Sequence, residues 1–407
     1  MPTDLPPDGF ARLKDSLAAH VADGELPGLV FLVAGGDDVR VEAIGTPSFA
    51  DPTPLTRDAV FRIASLTKPI VAAAALTLVD EGRLRLDQPV DEYVPELAGR
   101  RVLRTIDAEL DDTVPARRSI TLEDLLSYRM GFGSIMAPPG AHPIQRAEAE
   151  AQLLSIGGPP WPPGPHDIDS WIAALGSLPL MYQPGEQWLY GTSGQVLGVV
   201  LARACGQDLE SVLRERVLEP LGMADTGFSV PADRLDRLTT FYLPDPETGQ
   251  LSVLDEPASS WWAAPPAFPD AAGWLVSTID DLWAFASMLH AEGRAPGGGR
   301  VLAPDTVDLM TTDRLTPAQR DPYTMILGER TGWGLGVAVP TAGAPADAPL
   351  PCGVGWNGGS GTTWRTQKRT GVTGILLAQV QVLAPTPTPL VRDFWAAVNA
   401  ATGLRPG

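Results

Sequence analysis

The chain has 407 residues, of which 44% are hydrophobic and 19% charged, the balance of a soluble globular protein with a sizeable core. Its formal net charge of −19 repels nucleic acid and anionic membranes, so neither is expected as a partner. The polar, acidic start lacks a cationic and apolar leader pattern, and no segment reaches transmembrane length, which points to the cytoplasm.

In chain order, Phe10, Leu13, Leu17 and Val21 fall at helical spacing and predict a helix over 8–23. Two strand-like runs follow, 28–34 and 39–44, joined by the turn residues Gly35-Gly36-Asp37-Asp38. The middle predicts helices at 69–81, 121–127, 148–155, 167–175, 194–205, 208–218, 279–291 and 304–311. Several of these end at glycines suited to a C-terminal cap, such as Gly82, Gly206 and Gly293. Strands return at 334–339, 362–366 and 372–382, and a helix over 388–401 closes the chain. Strands at both ends with helices between predict an α/β (α+β) protein with an antiparallel sheet flanked by helices. Residues 1–68 and 325–407 would form one domain, and 69–324 a mostly helical one. Two Pro/Gly-rich segments, 137–165 and 257–270, read equally as lids or as surface insertions.

Cys205 and Cys352 predict free thiols rather than a disulfide. The histidines, at 20, 142, 166 and 290, form no zinc pattern, so no metal and no cofactor are expected. No G-x-S-x-G elbow is present.

Ser65-Leu66-Thr67-Lys68 reads S-x-x-K at the start of an apolar helical run. Residues three apart share a helix face, so the hydroxyl and the amine can meet. A serine needs a base to take its proton, and a neutral lysine can be that base. Lysine occurs only at 14, 68 and 368, with arginine at nearly every other basic position. Arginine cannot lose its proton and could not replace a base. Taken alone, the pair also fits a chance Ser and Lys at a helix start. Tyr190, in Pro184-Gly-Glu-Gln-Trp-Leu-Tyr190-Gly-Thr-Ser-Gly194, stands at a loop–helix junction and could pass a proton, or be structural. The glycine-dense run Gly353–Gly361 reads as a strand edge that a substrate can approach closely, or as a bulge.

Phe61-Arg-Ile-Ala-Ser65-Leu-Thr-Lys68-Pro69 resembles the nucleophile motif of class C β-lactamase-like serine hydrolases. That superfamily includes D-Ala-D-Ala peptidases, D-aminopeptidases and family VIII carboxylesterases. The segments 81–87, 121–127, 184–190, 219–223 and 302–310 resemble its recurring motifs, in order, over roughly residues 10–400. The resemblance implies a β-lactamase/DD-peptidase-like fold with the active site between two domains. It implies Ser65 as nucleophile, Lys68 and Tyr190 as general base and acid, and an oxyanion hole from the Ser65 and Gly359 N–H groups. Trp356, Asn357, Gly358 and Thr192 fall at its substrate-binding positions.

Two departures set the expected substrate. Thr192 stands where an asparagine usually contacts a substrate amide. Trp356 stands where a lysine or histidine usually attracts a carboxylate, and resembles some family VIII esterases. Both point to a neutral, fairly apolar small-molecule ester cleaved by a cytoplasmic carboxylesterase. The alternatives are an amide hydrolase (a D-aminopeptidase, weak β-lactamase or other amidase), an acyltransferase, or a catalytically idle scaffold. Trp161, Trp261 and Trp262 join Trp356 as candidate pocket walls. Oligomeric state is not legible.

Overall fold

A computed structural model describes residues 6–153, 163–345 and 348–404. At its centre is a seven-stranded sheet, every pairing antiparallel. From one edge to the other the strands are 38–45, 28–35, 373–377, 362–366, 354–358, 338–340 and 331–333. The two N-terminal strands therefore join a sheet otherwise built from the last quarter of the chain.

The strand Gly28–Gly35 is buried along its whole length. Side chains alternate between the faces of a strand, so it feeds two cores. Leu29, Phe31 and Val33 pack with Leu13 and Leu17 of the helix Pro7–Ala22 and with Phe394 and Val398 of the helix Pro389–Thr402. Val30, Leu32 and Ala34 face the larger core, which contains the helices Thr67–Asp80, Thr192–Cys205 and Ile279–His290. The helix Thr67–Asp80 is buried from Thr67 through Leu78, as expected of a helix apolar on all sides. Local signals place the helix starts. The Thr278 hydroxyl accepts the Asp281 N–H, and Thr121 with Asp124 forms a capping box for Leu122–Leu126.

Four predicted elements differ. The strand expected at 334–339 is a tight turn between Thr331–Trp333 and Ala338–Pro340, with the Gly334 N–H on the Val337 carbonyl. Two glycines in an alternating run mimic a strand but here let the chain reverse. The strand predicted over 372–382 ends at Leu377. The helix expected at 148–155 is Pro143–Glu150, started by proline at its first turn; residues 154 and 155 lie outside the described residues. The helix over 208–218 is interrupted by a π-helical turn, Arg214–Leu218. Cys205 and Cys352 are free thiols. Among the described residues no helix is long and apolar enough to cross a membrane, and no cluster of His, Cys, Asp or Glu could hold a metal ion.

Candidate active site

The short strand Phe61–Arg62 pairs with Val276–Ser277 and leads into a 3-10 turn, Ala64–Leu66, that opens the helix Thr67–Asp80. Ala64, directly before Ser65, has a φ of 44°, a left-handed conformation that a residue with a side chain rarely adopts. Surrounding bonds hold it there. The Ile63 N–H donates to the Leu275 carbonyl at 2.9 Å, and the Thr67 hydroxyl accepts the Leu275 N–H at 3.1 Å. From the other side, the Ser360 hydroxyl donates to the Arg62 carbonyl and the Thr362 hydroxyl to the Ile63 carbonyl at 3.2 Å.

Arg62 anchors this strand from within the core. It is 2% exposed, ion-paired with buried Asp255, and it donates to the Thr239 carbonyl and to the Gln379 side chain. Its guanidinium lies 4.7 Å from the Trp262 ring centroid. Burial pulls its pKa down to about 10 against the opposing pull of Asp255. Trp262 is therefore a core residue rather than a pocket wall, 1% exposed and stacked on Trp274 at 4.7 Å. Trp261 is half-buried, and Trp161 lies outside the described residues.

Ser65 and Lys68 meet. The Lys68 Nζ donates to Ser65 Oγ at 2.8 Å and to the Ala272 carbonyl at 2.5 Å, and it sits 4.5 Å from the Tyr190 ring centroid. Ser65 is 8% exposed and Lys68 4%, and among the described residues no carboxylate pairs with Lys68.

Tyr190 is half-buried at the end of an extended segment, its carbonyl accepting the Ser134 N–H. Gly191 follows with φ 98° and ψ −82°, a corner open only to glycine, and turns the chain into the helix that begins at Thr192. Aromatic rings fix the tyrosine from several sides. Tyr128 stacks on it at 6.0 Å, Trp333 meets it edge-on at 6.3 Å, and the Trp356 indole N–H donates to its hydroxyl at 2.6 Å. Tyr128 itself is buried, and desolvation, with the Tyr190 and Asp270 charges, holds its phenol well above the usual value.

The strand Val354–Gly358 packs its end against the Ser65 turn. A side chain at Gly358 would meet the Ile63 carbonyl at 2.5 Å, so only glycine permits the approach. This brings the Gly358–Gly359 segment beside the backbone that carries Ser65. Alternation puts Trp356 and Gly358 on the face toward Tyr190 and Asn357 on the other, where its side-chain oxygen accepts the Thr363 hydroxyl at 2.7 Å. Asn357 is thus the one predicted site residue the fold turns away. Trp356 is 3% exposed and, beyond forming a wall, bonds directly to Tyr190. Thr192 is 8% exposed at the first position of its helix.

The supporting residues Arg62, Asp255, Tyr128, Gln195 and Asp270 escaped the sequence reading. Their signals are single polar or aromatic residues far apart in the chain, without a shared motif.

Known proteins share this arrangement of elements. The Beta-lactamase family model matches residues 13–392. Protein Rv1367c of Mycobacterium tuberculosis (strain ATCC 25618 / H37Rv) is 39% identical over 350 residues, covering 84% of this chain and 83% of that protein. Esterase EstB of Burkholderia gladioli is 29% identical over 401 residues, covering 92% and 93%. Among solved structures, EstCE1, a hydrolase with promiscuous acyltransferase activity, superposes with a TM-score of 0.76 at 22% identity, covering 96% of this chain and 98% of that one. A match across nearly the whole chain, on this antiparallel sheet and its covering helices, makes the protein a member of the beta-lactamase family, on the fold shared by its hydrolases and acyltransferases.

Proposed function

We propose that this protein is a serine carboxylesterase working through an acyl-enzyme on Ser65. The observation that carries the reading is the 2.8 Å hydrogen bond between the buried Lys68 and Ser65. Lys68, with Tyr190, takes the Ser65 proton as Oγ attacks the ester carbonyl. The tetrahedral oxyanion sits between the Ser65 and Gly359 N–H groups. Tyr190 gives a proton to the departing alkoxide, and the acyl group remains on Ser65. Water, losing a proton to the same Lys–Tyr pair, then attacks the acyl carbonyl, and the acid leaves as Ser65 regains its hydrogen.

Ester preference rests on Trp356 and Thr192. An indole offers no positive charge to a substrate carboxylate, and a threonine hydroxyl is a poor mimic of a side-chain amide. The esterase relative supports the same reading. A second reading is acyl transfer, favoured by the promiscuous acyltransferase activity of the structural neighbour EstCE1: an alcohol in place of water would accept the same acyl group.

The test is hydrolysis of a panel of p-nitrophenyl esters beside a chromogenic cephalosporin, with Ser65→Ala as control. Fast ester cleavage that vanishes in Ser65→Ala is expected. Ester cleavage that survives in Ser65→Ala refutes the nucleophile, and a faster cephalosporin reaction refutes the ester preference.

A further inference from the structure

Lys68 is held by few contacts. Its nitrogen bonds the Ser65 hydroxyl, which reacts, and the Ala272 carbonyl, which does not. The direction of the Ala272 carbonyl therefore governs where the ammonium or amine points.

That carbonyl is set by a carboxylate two residues further back. Asp270 is 1% exposed, and its Oδ1 accepts the Ala272 N–H at 2.7 Å. Its Oδ2 accepts from the Gln195 side chain at 2.9 Å, and Gln195 stands one helical turn after Thr192. The Asp270 main-chain carbonyl accepts the N–H groups of Gly273 at 3.1 Å and Trp274 at 3.0 Å, which closes the turn. Tyr128 is a titratable group whose charge interacts with Asp270, and His166 lines the small cavity, about 50 Å³, on which Asp270 and Gln195 border. The next residues of the same segment grip the nucleophile motif: Leu275 bonds the Ile63 N–H and the Thr67 hydroxyl, and Val276 pairs with Arg62.

We propose that Asp270 is a positioning residue for Lys68, acting through the Ala272 carbonyl and steadied by Gln195. The inference rests on the acyl-enzyme reading of Ser65 and Lys68. A buried carboxylate is costly to keep unless its bonds are worth more than its desolvation. Here one oxygen closes the turn that supplies the lysine's fixed acceptor, and the other is held by Gln195 of the neighbouring helix.

The experiment compares wild type, Asp270→Ala and Asp270→Asn by p-nitrophenyl ester kinetics and by the rate at which a fluorophosphonate probe labels Ser65. Losing the alignment is expected to lower both kcat and the labelling rate of Asp270→Ala by about 10²-fold, the scale of a small misplacement of a reacting group. KM should change by no more than about twofold, because no substrate contact is removed. Asparagine keeps an acceptor for the Ala272 N–H, and Gln195 can turn its amide to face the new NH₂, so Asp270→Asn should recover to within about tenfold of wild type. Wild-type rates in a folded Asp270→Ala, or a loss confined to KM, would overturn the role. If Asp270→Ala does not fold, Gln195→Met replaces it: a kcat reduced by about tenfold supports the role, and an unchanged one overturns it. A wild type that takes no label at Ser65 defeats the acyl-enzyme reading and this role together. Normal wild-type labelling with unaltered variants defeats this role alone.

Discussion

The Trp356 indole N–H donates to the Tyr190 hydroxyl at 2.6 Å. An indole only donates, so the tyrosine oxygen is the acceptor and its own hydrogen is left to bond elsewhere. Trp356, neutral where the family resemblance implies a cation, thus supplies a neutral donor to the phenol proposed to carry the proton. The rings of Trp333 and Tyr190 pack on Trp356 at 4.8 and 5.7 Å, which fixes the donor's direction.

Trp356→Phe keeps the ring contacts and deletes the donor. A neutral hydrogen bond of ordinary strength corresponds to a loss of up to about tenfold in kcat for ester hydrolysis, with little change in KM. Steady-state kinetics on a p-nitrophenyl ester would check it. If Trp356 served only as an apolar wall, KM would move instead of kcat.

Thr192→Asn restores a side-chain amide at the start of its helix. The expected result is a gain of about tenfold in the ratio of cephalosporin to ester hydrolysis, since a site that bonds a polar group discriminates for it. The ratio, measured on one preparation with both chromogenic substrates, decides the matter. An unchanged ratio would mean that position 192 does not face the leaving or acyl group.

Asp255→Ala leaves the Arg62 guanidinium charged and buried without its acid. Breaking a buried pair in this way costs about 3–5 kcal/mol, read as a drop in the urea midpoint. Because Arg62 ends the strand three residues before Ser65, ester hydrolysis should fall as well. Asp280→Ala, which breaks an ion pair with Arg57 whose members are 58% and 48% exposed, should leave the midpoint within about 1 kcal/mol of wild type.

Glu148 gives a pH dependence. It is 6% exposed, and burial pushes its carboxyl from 4.5 up to about 7. The folded state holds this proton more tightly than the unfolded chain. The associated stability is therefore complete below about pH 4.5 and lost as the pH rises through about 7. Glu148→Gln cannot ionise, so above pH 7 it should be more stable than wild type by roughly 3 kcal/mol, with no difference near pH 4. Denaturation midpoints at the two pH values would show it, and a constant difference between them would contradict it.

Much of this site is local in the chain and was therefore legible in it. Ser65 and Lys68 lie one helical turn apart, so helix geometry alone brings them together. The glycine-dense run 353–361 reads as a strand edge open to close approach, and the continuous apolar run 28–34 reads as a strand. The antiparallel sheet from both termini also follows from where the strand-like runs fall. What the sequence could not decide are contacts between residues far apart, because no local propensity encodes them. Asn357 and Trp356 are neighbours, yet the strand's alternation sends them to opposite faces once its pairing with 362–366 is set. Trp262 reads as a loop aromatic and becomes the floor under Arg62, 200 residues away in sequence by the count of their numbers. Asp270 is linked to Lys68 through Ala272 only because the turn at 270–274 folds onto the helix that begins at Thr67. The sequence by itself determined which groups could do chemistry; the tertiary structure decided which buried groups hold them in place, since those depend on the packing of segments that meet only in the folded chain.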